Sequence, residues 1–207
     1  MLNPTITEHI MGPVGTLETL VYPSKRPQTQ GWAIMCHPNP TQGGSNTNKV
    51  VQTTAKALSL MGYQVYCPNL RGVGKSAGVH DFGVGEIEDV LAILQHIRQT
   101  QAPLPILLAG FSFGAYVAAH VQTRTEIDQL LLLGLAAGKY PIATPHVPAQ
   151  TLVIHGEADE VIPLADVMNW ARPQALPVMV FPETSHFFHG RLIQLGQVIQ
   201  SRLPPLA

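Results

Sequence analysis

Ser112, Asp159 and His186 are the residues of this chain whose types and order suit nucleophilic acyl transfer. Ser112 is the centre of Gly110-Phe111-Ser112-Phe113-Gly114, a G-x-S-x-G pentapeptide. The apolar run Ile106 to Ala109 precedes it and the small-residue stretch Ala115 to Val121 follows, a strand–turn–helix setting. A serine on so sharp a turn takes a strained backbone, and side chains two residues before and after it would collide. Gly110 and Gly114 remove them. A serine hydroxyl is a weak nucleophile until a base takes its proton, and an acid must hold that base in the right tautomer. The N–H of Phe113 opens the following helix and points at any negative charge that develops.

The partners of Ser112 are sought just beyond later strands, in the chain order serine, acid, histidine. Asp159 follows the expected strand Thr151 to His155 by four residues, and His186 follows Val178 to Phe181 by five. Glu157 and Glu160 flank Asp159 as rivals. The position between Gly156 and the helix entry Val161-Ile162-Pro163 favours Asp159, with a solvated turn carboxylate as the plain alternative. His189 competes with His186, and their H-x-x-H spacing brings no cysteine or acidic ligand with it, so no metal is expected. His189 is expected to cap or pack on the last helix, and His155 to be a satisfied core histidine. A second oxyanion donor is sought after the strand Trp32 to Cys36. Pro38 has no N–H, so Asn39 is the candidate through its backbone, with His37 bracing the loop. Gly72-Val73-Gly74-Lys75-Ser76 mimics the end of a phosphate-binding loop. The first glycine of that motif would fall at Asn69, and no helix is expected at Lys75, so neither nucleotide nor other cofactor is expected.

These residues need a frame. Thr5 to Ile10 and Thr16 to Tyr22 read as an N-terminal hairpin. Strands are expected at Trp32 to Cys36, Tyr63 to Pro68, Ile106 to Ala109, Ile127 to Leu135, Thr151 to His155 and Val178 to Phe181. Helices are expected at about Thr47 to Met61, Gly85 to Thr100, Leu164 to Ala171 and after His189. Apolar strands alternating with amphipathic helices predict a three-layer α/β domain over residues 1–207, with a twisted, mostly parallel sheet of about eight strands. About fifteen residues, Ala136 to Gln150, separate two strands where a lid would enter, too few for a helical one.

The chain has 207 residues, 45% of them apolar, enough for a core in one domain. Its net charge is −1 with 12% charged residues, which argues against nucleic acid or an anionic membrane as the main partner. The start, MLNPTITEHIMGP, has neither a basic region nor a long apolar stretch, so no leader or membrane span is expected. Cys36 and Cys67 fall in apolar strands and are expected as buried free thiols, which fits a cytoplasmic location. Homodimerisation is left open.

Five features occur in order between residues 37 and 188: His37-Pro38-x-Pro40-x-x-Gly43-Gly44, Arg71-Gly72-x-Gly74-x-Ser76, Gly110-x-Ser112-x-Gly114, His155-Gly156-x-x-Asp159-x-x-Ile162-Pro163 and Ser185-His186-Phe187-Phe188. Together they resemble the α/β-hydrolase superfamily, and within it a compact bacterial branch related to dienelactone-hydrolase-like and serine-peptidase-like members. The resemblance implies a triad of Ser112, Asp159 and His186, with Phe113 and Asn39 as oxyanion donors. Many relatives begin the oxyanion loop with His-Gly, where this chain has His-Pro. The expected activity is hydrolysis of small soluble esters through an acyl-enzyme. Amide, peptide or thioester hydrolysis on the same residues is the first alternative, and a non-catalytic binding module the second.

Overall fold

The computed structural model describes residues 5–204; residues 1–4 and 205–207, the first of which begin the leader reading above, lie outside it. Among the described residues, eight strands form one sheet in the order β1-β2-β4-β3-β5-β6-β7-β8. They are β1 (Ile6–Gly12), β2 (Gly15–Tyr22), β3 (Gly31–Cys36), β4 (Tyr63–Pro68), β5 (Ile106–Phe111), β6 (Gln129–Leu133), β7 (Leu152–Gly156) and β8 (Val178–Phe181). The helices are α1 (Lys49–Met61), α2 (Val84–Thr100), α3 (Phe113–Val121), α4 (Leu164–Ala171) and α5 (Leu192–Arg202). The sheet is mixed. β3 to β8 pair in parallel, whereas β2 runs antiparallel to both β1 and β4.

Successive residues of the central strands serve opposite faces, which is why their sequences are apolar throughout. Ile34, Leu108 and Leu132 join one core with Ile87 and Val90 of α2, Val117 of α3 and Val167 of α4. Ala33, Met35, Leu107 and Leu131 join the other with Val51 and Leu58 of α1 and Leu195 and Ile199 of α5. Truncating a fully buried side chain such as Leu58 to Ala is expected to cost about 2–5 kcal/mol. Asn48 caps α1 by accepting from the Val50 N–H at 2.9 Å, so the helix starts two residues later than its apolar pattern predicts. β6 is also shorter than the apolar run Ile127 to Leu135. The Asp128 carboxylate accepts from the Ile106 N–H at 2.7 Å before β6 starts, and Gly134, at φ 51°, turns the chain after it. Between Gly134 and Gln150 there is neither helix nor strand, and no lid. Cys36 and Cys67 are buried and unbridged, and burial pushes the Cys36 thiol up to about 12. No helix among the described residues is long and apolar enough to cross a membrane.

Candidate active site

β3, β5, β7 and β8 point the same way, so the loops leaving them share one rim of the sheet. Asn39 follows β3, Ser112 follows β5, Asp159 follows β7 and His186 follows β8. Ser112 has φ 55° and ψ −115°, a conformation that costs a non-glycine residue roughly 1–3 kcal/mol. The surroundings hold it there. Its N–H donates to the Leu133 carbonyl at 2.8 Å, and its carbonyl accepts from the Tyr116 N–H at 3.1 Å. A Cβ on Gly110 would sit 2.1 Å from the Gly114 oxygen, and one on Gly114 would sit 2.4 Å from the Cys36 oxygen. The second glycine therefore also lets the turn press against the end of β3.

His186 Nδ1 lies 2.6 Å from Asp159 Oδ2 in buried surroundings. The N–H groups of Val161 and Ile162 donate to Asp159 Oδ1 at 2.9 and 2.7 Å. Burial alone would raise the Asp159 carboxyl, but the bonds from His186 and Ile162, with the nearby imidazoles, together hold it below its ordinary value. An acceptor at Nδ1 places the His186 proton there and leaves Nε2 bare. Phe111 packs on the imidazole at 4.9 Å between ring centres. Ser112, His186 and Asn39 line one cavity of about 40 Å³, with Gln42, Asn48 and Phe187. A much wider groove, about 920 Å³, lies beside Arg98 and Asp128 at the opposite ends of β5 and β6, away from these residues. The Ser112 hydroxyl makes no hydrogen bond among the described residues.

The Asn39 and Phe113 N–H groups likewise find no acceptor among the described residues. His37 accounts for the aim of the first. The Leu70 N–H donates to His37 Nε2 at 3.0 Å, so the proton sits on Nδ1, 2.7 Å from the Pro38 carbonyl oxygen. Across a trans peptide the carbonyl and the next N–H point opposite ways, so a fixed Pro38 carbonyl fixes the Asn39 N–H. Burial pushes His37 down to about 4, despite the Pro38 bond and the nearby Glu86.

The rivals resolve into supporting contacts. Glu160 accepts from the His186 N–H at 3.2 Å, and Glu157 from the Glu183 N–H at 2.9 Å. His189 is exposed beside Phe187 and does not cap α5, which begins after Arg191. His155 is buried as expected but not fully satisfied, because its Nδ1 has no partner among the described residues. In the loop that resembles a phosphate-binding one, the Ser76 hydroxyl donates to the Asn69 carbonyl and accepts from the Glu18 N–H, so it ties the chain to β2. Phe111, Phe113 and Phe188 are core residues, and only Phe187 reaches the cavity. Among the described residues no cluster of His, Cys, Asp or Glu has the makings of a metal site.

A family model described as serine aminopeptidase, S33, matches residues 41–139. The uncharacterized protein RP471 of Rickettsia prowazekii is 34% identical over 210 residues, which cover 93% of this chain and 86% of that protein. XC6422 of Xanthomonas campestris, an α/β serine hydrolase without lid, superposes with a TM-score of 0.90 at 38% identity, covering 97% of this chain and 95% of its own. An α/β serine hydrolase homologue from Coxiella burnetii gives 0.87 at 38% identity and 99% of both chains. Sheet order, rim loops and these likenesses agree: the chain belongs to the α/β-hydrolase superfamily, among its lidless serine hydrolases.

Proposed function

We propose that the protein hydrolyses small, soluble carboxylic esters, with Ser112 as nucleophile, His186 as general base and acid, and Asp159 as the group that orients and charges the imidazole. The observation that carries this reading is the 2.6 Å contact between Asp159 Oδ2 and His186 Nδ1, made by an imidazole that shares a cavity with Ser112. Ser112 Oγ attacks the ester carbonyl carbon while His186 Nε2 takes its proton. The carbonyl pair moves onto oxygen, between the Asn39 and Phe113 N–H groups. The tetrahedral species collapses, the C–O bond to the alcohol breaks, and His186 returns the proton to the leaving oxygen. Water then repeats the cycle, releasing the carboxylic acid and free Ser112. The unbonded Ser112 hydroxyl suits a free enzyme, whose catalytic hydrogen bonds tighten when substrate binds.

A cavity this small and a rim without a lid favour short acyl groups over long-chain lipids. The description of the matching family model as a serine aminopeptidase favours amide hydrolysis as the second reading. A panel of short p-nitrophenyl esters, thioesters and aminoacyl amides separates the two, with fluorophosphonate labelling of wild type and Ser112→Ala as the test of the nucleophile. Labelling that survives in Ser112→Ala would refute the reading.

A further inference from the structure

His155 lies near the end of β7, one residue before Gly156 and four before Asp159. Its Nε2 is 2.9 Å from the Ile162 carbonyl oxygen and 3.3 Å from Asp159 Oδ2. Both neighbours are acceptors, so Nε2 carries the proton. Nδ1 finds no partner among the described residues, and a second proton there would be a buried, unpaired N–H. Burial accordingly pushes this imidazole below its ordinary value, against the pull of the Ile162 carbonyl and Asp159. Ile162 closes the circuit, because its N–H donates to Asp159 Oδ1 while its carbonyl accepts from His155.

We propose that His155 is a positioning residue for the acid of this site, holding the turn of residues 156–163 through its bond to the Ile162 carbonyl and lying 3.3 Å from Asp159 Oδ2, so that two imidazoles border one carboxylate oxygen. The proposal rests on the reading of Ser112, His186 and Asp159 given above. The positive end of the His155 N–H dipole, 3.3 Å from Oδ2, draws on the same carboxylate oxygen that His186 meets. Among the described residues, the charged or titratable groups facing His186 are Asp159 and Glu160 from the loop after β7 and His155 from β7 itself. Phe111 and Gly134, packed against it from β5 and the end of β6, carry no charge.

The test compares His155→Leu, which removes the donor, with His155→Gln, whose amide nitrogen reaches toward the Nε2 position. Both are measured on a short p-nitrophenyl ester across pH, alongside Tm. His155→Leu is expected to lower kcat about tenfold with KM little changed, and to move the acidic limb of kcat/KM to higher pH. His155→Gln is expected to recover most of the rate and the wild-type limb. An unmoved limb in both variants, with activity following only the folded fraction, overturns the proposal. If His155→Leu does not fold, long-range proton–nitrogen spectra of the wild-type imidazoles decide. A proton on His155 Nε2 whose shift follows the titration of His186 supports the proposal, and a proton on Nδ1 or an indifferent shift refutes it. Ser112→Ala keeps the two claims apart. Activity that survives in it sinks the nucleophile assignment, whereas lost activity beside a wild-type pH profile in His155→Leu sinks only this inference.

Discussion

His37 ties acid stability to the loop that follows β3. The folded protein holds this imidazole neutral, with a value near 4 against an ordinary 6.5, because burial penalises its cation. The unfolded chain therefore binds a proton here more readily than the folded one, so stability falls as the pH falls. The contribution is fully present above about 6.5, erodes through the interval down to about 4 and is then lost. At about 1.36 kcal/mol per pH unit the whole interval is worth roughly 3 kcal/mol, about 2.5 of it gone by pH 4.5. Other buried groups titrate in acid too, so the assay is a difference. Urea unfolding followed by tryptophan fluorescence is run from pH 7.5 to 4.5 on wild type and His37→Gln. The glutamine oxygen can still accept from the Leu70 N–H but carries no titrating proton. The stability advantage of wild type is expected to shrink by roughly 2.5 kcal/mol over that range. A wild-type advantage that stays constant with pH refutes the reasoning.

Ser112→Gly relieves the φ 55° strain that Ser112→Ala keeps, so both lose activity while the glycine variant melts a few degrees higher, about 1 kcal/mol in calorimetry. Asn39 has φ −53°, which proline accepts, so Asn39→Pro removes the N–H, loses the same Thr41 cap as Asn39→Ala with no further drop in Tm, and is expected to lower kcat about 10²- to 10³-fold. Asn39→Ala keeps the N–H and is expected to lose only the side-chain cap on Thr41, about 1 kcal/mol by urea unfolding. Gly110→Ala sets a methyl 2.1 Å from a backbone oxygen that has no room to yield, so soluble yield and ester activity are expected to fall together.

The sequence told most where one residue type has one use. Buried-both-sides strands such as β5 and β6 betray themselves by unbroken apolar runs, and the glycines around Ser112 mark a turn that few other residues tolerate. Strand ends were harder, because Asp128 and Gly134 cut β6 short through a side-chain bond and a local backbone turn rather than through hydrophobicity. The direction of β2 depends on its pairing with β4, across more than forty intervening residues, and no local pattern announces it. That Asp159 and His186 meet was legible from chain order and from their place after strands. The second imidazole on Asp159 was not, since a histidine ending an apolar strand reads as core until Ile162 and Asp159 are seen to fold back over it. Its spacing of four residues from the acid was the available signal.

The uncovered rim beside Gly134 to Gln150 has a kinetic consequence. Enzymes that must swing a flap aside at an oil–water boundary speed up abruptly once substrate forms droplets or micelles. A catalyst whose entrance is permanently bare has no such threshold. Its velocity should climb hyperbolically with dissolved substrate and show no jump at the critical micelle concentration.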